Sequence, residues 1–246
     1  MTNSFLPQTV NNIAIILAGG VGNRLGLSTP KQFFKVAGKT VIEHTVEVFE
    51  KNAKIDEIAI VIHESYISDI ENMVLKNDWK KVKKILKGGK ERFESSLSAI
   101  NAYAQFPDYN LIFHDAVRPM VSDRIINDVV DALALYNAVA VAIPTTDTIF
   151  QVSDSHNFIE EIPNRVYLQR AQTPQAFRVK LIQKAYEIAL KDTHFQSSDD
   201  CGVVAKYLPD EKIYVVRGEE NNIKLTYKED SCLLDILLQL RIFASN

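Results

Sequence analysis

Ile13-Ala14-Ile15-Ile16-Leu17-Ala18-Gly19-Gly20-Val21-Gly22-Asn23-Arg24-Leu25-Gly26 reads as an apolar strand running into a glycine-rich turn. The run Ile13–Leu17 has the unbroken apolar character of a strand buried on both faces. Four glycines between positions 19 and 26 let the backbone approach a ligand and present its N–H groups. Arg24, and Lys31 within Pro30-Lys31-Gln32, set two cations beside that turn. Backbone donors with fixed positive charge suit a polyphosphate. Two familiar glycine motifs are excluded by spacing. A dinucleotide fingerprint begun at Gly20 needs glycine where Leu25 stands, and neither Gly20 nor Gly22 leads into a Walker A ending. A tight strand-to-helix turn without a ligand is the plain alternative for this loop taken alone.

Working outward, strand-like and helix-like patterns alternate. Strands are expected at Ile58–Ile62, Val82–Leu86, Leu111–Phe113, Val139–Ile143 and Ile213–Val216. Helices are expected at Val41–Phe49, Tyr66–Asn77, Phe93–Ala104, Arg124–Tyr136 (capped by Ser122), Lys180–Leu190 and Leu233–Phe243. This rhythm predicts an α/β fold with a mostly parallel, doubly wound sheet, whose ligands bind beyond the carboxyl ends of the strands. Residues 145–173 break the rhythm. Asp147–Phe150 and Phe158–Pro163 read as a protruding β-hairpin arm, whose apolar side chains suit either a partner subunit or the arm's own domain.

The bulk properties agree with one large domain spanning residues 1–246, or one domain with an appendage. Of 246 residues, 46% are hydrophobic, which is enough for one large core. A net charge of −3 argues against nonspecific binding to nucleic acid or to a membrane surface. Cys201 and Cys232 form no C-x-x-C pattern, and the expected compartment is the reducing cytoplasm. Met1–Asn12 lacks the regions of a signal peptide, and no apolar run reaches membrane-spanning length.

Five further segments carry candidate chemistry. His114-Asp115-Ala116-Val117-Arg118-Pro119 follows the fourth strand, where an Asp can hold a ribose hydroxyl or a metal and an Arg can hold phosphate. A local Asp115–Arg118 ion pair is the structural alternative. Gly88-Gly89-Lys90-Glu91-Arg92, with Ser95 and Ser96, opens a helix and can either read a base and sugar or cap that helix. Arg165 and Gln172-Thr173-Pro174-Gln175 lie in the arm and at its end. Ser197-Ser198-Asp199-Asp200 reads as a helix N-terminus, and Asn222-Ile223-Lys224-Leu225-Thr226 presents a lysine at a strand edge. The five histidines form no metal-ligating pair, so a zinc site and covalent catalysis are not indicated.

In this order the segments resemble the polyol-phosphate cytidylyltransferases, a family that includes the methylerythritol-4-phosphate and ribitol-5-phosphate enzymes. The similarity runs from Ile13 to the C-terminal helix. It implies a Rossmann-like nucleotidyltransferase fold, CTP and a small polyol phosphate as substrates, Mg²⁺ as the divalent cation, and a homodimer joined through the 145–173 arm. The reaction implied is transfer of CMP to a phosphate monoester with release of pyrophosphate. By the same resemblance, Arg24, Lys31 and Lys224 are the catalytic cations. Ala18, Gly19, Gly20, Gly22, Gly89, Arg92, Ser95, Asp115 and Ala116 form the nucleotide pocket. Asp115, Arg118, Arg165, Thr173 and Ser198 surround the polyol phosphate, with Arg165 reaching into the neighbour's site.

The acceptor that the resemblance implies is D-ribitol 5-phosphate, because the Leu17-Ala18-Gly19-Gly20 loop, Val117, the Gln172–Phe177 run and Ser198-Asp199-Asp200-Cys201 look closer to the ribitol-phosphate enzymes. The product would be CDP-ribitol, a precursor for teichoic acid or capsule. The alternative acceptor is 2-C-methyl-D-erythritol 4-phosphate, which leads to isoprenoids.

Overall fold

The computed structural model describes residues 10–20 and 30–245. In chain order these form β1 (Asn12–Ala18), β2 (Lys35–Val36), β3 (Lys39–Thr40), α1 (Val41–Lys51), β4 (Glu57–Ile62), α2 (Ile67–Asn77), β5 (Val82–Lys87), α3 (Arg92–Tyr103), β6 (Asn110–Asp115), α4 (Asp123–Leu133), β7 (Ala138–Pro144), β8 (Gln151–Val152), β9 (Ile159–Glu161), β10 (Gln169–Arg178), α5 (Val179–Ala189), α6 (Asp200–Tyr207), β11 (Ile213–Arg217) and α7 (Lys228–Ser245). The main sheet runs β11-β7-β10-β6-β1-β4-β5. Every neighbouring pair is parallel except those made by β10, which is antiparallel to both β6 and β7.

The unbroken apolar runs of β1, β4 and β6 are explained by burial on both faces. Ala14, Ile16, Ile58 and Ile60 pack on one side with side chains of α1, α2 and α4. Ile13, Ile15, Ala59 and Val61 pack on the other with side chains of α3, α5 and α6. A third cluster joins Val36, Val41 and Val117 to Leu225, Leu234 and Leu238, and so seats α7 beside the loop that follows β6. The parallel register brings strand ends together. Leu17 stands opposite Asp115, and Ala18 opposite Ile62.

The structure departs from the sequence expectation in three places. Residues 169–173, expected as the end of the arm, belong to β10, a strand inside the sheet. Its signal is weak because Gln172, Thr173 and Gln175 are polar and Pro174 cannot donate to a ladder. The sheet accommodates them with a register break between Gln172 and Gln175. The arm's pairing is shorter than expected: Gln151–Val152 pairs with Ile159–Glu161, while Asp147–Phe150 lies outside the ladder. Finally, the small β2–β3 hairpin, two residues per strand, has no periodic pattern to reveal it. Ser122 caps α4 as expected, accepting from the Ile125 N–H at 3.2 Å.

Candidate functional site

The glycine turn after β1, the loop after β5 and the loop after β6 converge at the carboxyl ends of their strands. Between them lies a cavity of about 370 Å³. Ala18, Gly19 and Gly20 form one wall, and Gly89, Arg92 and Ser95 another. Asp115, Val117, Ser198 and Lys224 close it, with Lys31 and Gln32 beside the glycine turn. The glycine loops touch because side chains are missing there. A Cβ on Gly19 would sit 2.7 Å from Ser95 Oγ, and one on Gly89 would sit 2.2 Å from Glu94 Cβ. Ser95 Oγ accepts the Gly89 N–H at 3.2 Å, which holds the second loop against the start of α3. The Glu91–Glu94 capping box also forms there, so the segment both caps the helix and lines the cavity.

Asp115 is the electrostatic centre of the wall. It is 7% exposed, and its Oδ2 lies 2.9 Å from Lys224 Nζ and 3.4 Å from Arg118 Nε. Burial alone would favour the neutral acid. Lys224, Arg92 and Arg118 outweigh it and hold the carboxyl well below the usual range, so Asp115 is ionised at neutral pH. Arg92 is anchored in turn by the fully buried Asp200 at 2.7 Å, which also accepts from the Tyr186 hydroxyl at 2.7 Å. Burial opposes charge on Arg92, but Asp200 and Asp115 raise its pKa and keep it a cation. Among the described residues, Lys31, Lys90, Arg92 and Lys224 therefore line the cavity with Glu91 and Asp115 as counter-charges. That balance suits a polyanion on a chain whose net charge is −3.

Of the residues singled out from sequence, Ala18, Gly19, Gly20, Lys31, Gly89, Arg92, Ser95, Asp115, Ser198 and Lys224 meet at this cavity. Gly22 and Arg24 lie outside the described residues. Ala116 is buried behind the wall, where its N–H donates to Leu17 O at 3.0 Å and its carbonyl accepts from Thr45 Oγ1 at 2.8 Å. Arg118 is turned inward, between Asp115 and the Asn222 carbonyl at 2.7 Å. Thr173 is also behind the wall, bonded to the Asp115 N–H at 3.1 Å and to His114 at 3.0 Å. Burial pushes the His114 pKa down to about 4, so the ring is neutral at physiological pH. Arg165 stands apart from the cavity on the arm, donating to the Thr146 carbonyl at 3.3 Å.

Sequence reasoning gave Gln32 and Val117 no place at the site and read Asp199 and Asp200 together as a helix cap. Gln32 is buried and donates to Ala18 O at 2.8 Å, which ties the Lys31 turn to β1. Val117 lines the cavity beside Asp115. The acids of the Ser197–Asp200 segment divide their work. Asp199 caps α6 through the Gly202 N–H at 2.7 Å, while Asp200 turns inward to Arg92. Nothing in two adjacent acids distinguishes these uses; only the packing of α6 against α5 does.

Comparison with known proteins identifies the family and the fold. Residues 12–239 match the 2-C-methyl-D-erythritol 4-phosphate cytidylyltransferase (IspD) family. A bifunctional ribulose 5-phosphate reductase/CDP-ribitol pyrophosphorylase of Haemophilus influenzae is 47% identical over 94% of this chain, which spans 48% of that longer protein. A 2-C-methyl-D-erythritol 4-phosphate cytidylyltransferase of Thermobifida fusca is 40% identical over 92% of both chains. A ribitol-5-phosphate cytidylyltransferase of Vibrio parahaemolyticus is 33% identical over 94% of this chain and 99% of its own. Among solved structures, the 4-diphosphocytidyl-2C-methyl-D-erythritol synthase of Anaerococcus prevotii superposes with a TM-score of 0.81 at 32% identity, over 94% of this chain and 99% of its own. The chain thus belongs to the 2-C-methyl-D-erythritol 4-phosphate cytidylyltransferase family and is a nucleotidyltransferase of that fold.

Proposed function

We propose that this enzyme transfers CMP from CTP to D-ribitol 5-phosphate, giving CDP-ribitol and pyrophosphate. The observation that carries the chemistry is the set of cations, Lys31, Arg92 and Lys224, fixed around one glycine-walled cavity. The acceptor reading rests on the 47% identity to the CDP-ribitol pyrophosphorylase of H. influenzae. The 40% identity to the T. fusca enzyme supports the alternative acceptor, 2-C-methyl-D-erythritol 4-phosphate.

In the reaction an oxygen of the acceptor phosphate attacks the α-phosphorus of CTP. One P–O bond forms, the bridge between the α- and β-phosphates breaks, and pyrophosphate leaves. The acceptor phosphate is already ionised, so no strong general base is required. The barrier lies in bringing two anions together and in charge developing on the leaving pyrophosphate. Lys31 and Lys224, with Arg24 of the same glycine segment, lower that barrier. Asp115 holds Lys224 in place, and Arg118 backs the carboxylate from behind. Ser198, at the cavity edge, suits a polyol hydroxyl.

A magnesium ion accompanying a triphosphate takes most of its ligands from phosphate oxygens and water, with one or two protein carboxylates. Among the described residues no three His, Cys, Asp or Glu side chains form a metal cage. Asp115 Oδ2 is engaged by Lys224 at 2.9 Å and by Arg118 at 3.4 Å, so phosphate oxygens and water would hold the ion. When bound, it neutralises triphosphate charge.

The arm supports a homodimer. Phe158 and Tyr167 are 73% and 82% exposed, and Ile159, Ile162 and Val166 are also exposed on the same segment. Arg165, carried there, would serve the neighbouring protomer's cavity. No helix among the described residues is long and apolar enough to cross a membrane. The free thiols of Cys201 and Cys232 support a cytoplasmic location. CDP-ribitol would then be a donor for a ribitol-containing surface polymer.

Pyrophosphate release with CTP and Mg²⁺, offering the two acceptors in parallel, tests the reading. A higher kcat/KM for ribitol 5-phosphate is the result expected. A preference for methylerythritol phosphate would overturn the acceptor assignment and leave the transfer chemistry intact.

A further inference from the structure

His114 is fully buried where β6 ends beside the β10 register break, and the transfer chemistry above makes no use of it. Its two ring nitrogens have different partners. Nε2 lies 3.1 Å from the Arg118 carbonyl oxygen. A carbonyl only accepts, so the ring proton is on Nε2, and Nδ1 of the neutral ring is an acceptor. Nδ1 lies 3.0 Å from Thr173 Oγ1. That same oxygen receives the Asp115 backbone N–H at 3.1 Å. A threonine hydroxyl has one proton, and in this arrangement it points at His114.

We infer that His114 is a positioning residue of the transfer site, directing the Thr173 hydroxyl so that it fixes the Asp115 backbone while the same ring holds the Arg118 carbonyl. The inference rests on the cytidylyltransferase reading. It means that Thr173 acts on substrate through Asp115 and does not donate its own proton. The turn from Asp115 to Arg118, closed by the Arg118 N–H to Asp115 O bond at 3.0 Å, is therefore fastened to one imidazole at both ends. Phe49, its ring centroid 5.1 Å away, packs against that imidazole. The Thr173 carbonyl accepts from Asn222 Nδ2 at 2.9 Å, and the Asn222 carbonyl accepts from Arg118 at 2.7 Å. This ties the segment carrying Lys224 to the same assembly, so Asp115, Arg118 and Lys224 are placed by one continuous set of bonds.

Two measurements test this. Nitrogen-15 NMR of the intact enzyme reads the His114 tautomer directly. The expected spectrum at neutral pH has the proton on Nε2 and a hydrogen-bonded Nδ1, whose resonance moves in Thr173→Val. A ring protonated on Nδ1, or a resonance unmoved in that variant, would overturn the inference. Kinetics supply the second readout. Thr173→Val and His114→Phe should each lower kcat/KM for the acceptor phosphate by about tenfold or more while KM for CTP changes less than about threefold. Thr173→Ser, which restores the hydroxyl, should recover most of the loss. The double variant should be no worse than the poorer single one, because both remove one unit. Losses that multiply in the double variant, or a serine variant as poor as the valine one, would also overturn it. If His114→Phe does not fold, the Thr173 pair and the spectra decide the question. A parent enzyme silent with both acceptors would count against the transfer reading, while the spectra would still decide the role of His114.

Discussion

At the scale of the residue, Lys31 and Lys224 are both cations facing the cavity, but they differ in what surrounds them. Lys224 is paired with Asp115, so its removal takes a cation from the phosphates and a partner from a buried carboxylate at once. Lys31 sits on a short 3₁₀ turn at the cavity mouth. Lys31→Ala should therefore lower turnover by about 100-fold or more, the scale of losing one preorganised charge contact to the transition state. Because the Lys31 side chain is not part of the hydrophobic clusters, the melting temperature should stay within about 3 °C of the parent. Pyrophosphate release and a thermal melt on one preparation check both halves. Lys224→Ala should lose comparable turnover and also melt earlier, because Asp115 keeps only its arginine neighbours. Near-parental turnover in both variants would remove these lysines from the mechanism.

At the scale of the element, α1 shows how local sequence and tertiary packing combine. Thr40 and Glu43 form a capping box: Thr40 Oγ1 accepts the Glu43 N–H at 3.3 Å, and Glu43 Oε2 accepts the Thr40 N–H at 2.8 Å. Asn77 and Lys76, at the end of α2, add contacts to Oε1 at 3.2 and 3.4 Å. Burial works against the Glu43 charge, but the Thr40 and Asn77 hydrogen bonds and Lys76 outweigh it and lower the pKa to about 2. A carboxyl whose folded pKa is depressed stabilises the fold fully above its unfolded pKa and loses that contribution as pH falls toward the folded value. The affected window thus runs from about pH 4.5 down to pH 2. Urea unfolding at a series of pH values should show this decline, and Glu43→Gln should flatten it. An unchanged slope in the glutamine variant would assign the acid sensitivity to other groups. The α1 boundaries were legible from residues 42, 45, 46 and 49, but the α2 partners of Glu43 were not, because they come from a helix more than 30 residues away.

At the scale of the whole molecule, the arm separates what one chain does from what two do. Its apolar side chains face outward, and Arg165 sits on it away from the chain's own cavity. In the proposed homodimer each cavity is completed by the partner's arm. Mixing Lys31→Ala with Arg165→Ala protein should then restore activity, since a mixed dimer keeps one site with both residues intact. Random exchange would return about a quarter of parental turnover, because half the dimers are mixed and each has one good site. Activity that stays at the sum of the two single variants would place Arg165 outside the partner's site. Light scattering on Val166→Ser/Tyr167→Ser protein should show a shift toward monomer at low concentration.

The α/β rhythm, the strand-end position of the site and most of its wall were determined by the sequence itself. Each depends on local signals: unbroken apolar runs for buried strands, helical spacing for amphipathic faces, glycines where backbones must touch. Position 172 onward was decided by the tertiary structure alone. Gln172, Thr173, Pro174 and Gln175 look like loop, yet they lie in a strand within the sheet because distant groups satisfy them. Asn222 and Glu219 bond Gln172, His114 and Asp115 bond Thr173, and Asp199, Asp200 and Cys201 bond Gln175. The same holds for Asp200, which turns inward to Arg92 and Tyr186 while Asp199 caps α6. Polar groups can be buried wherever their hydrogen bonds are completed. Which groups complete them depends on contacts between residues far apart in the chain, and these exist only once the chain has folded.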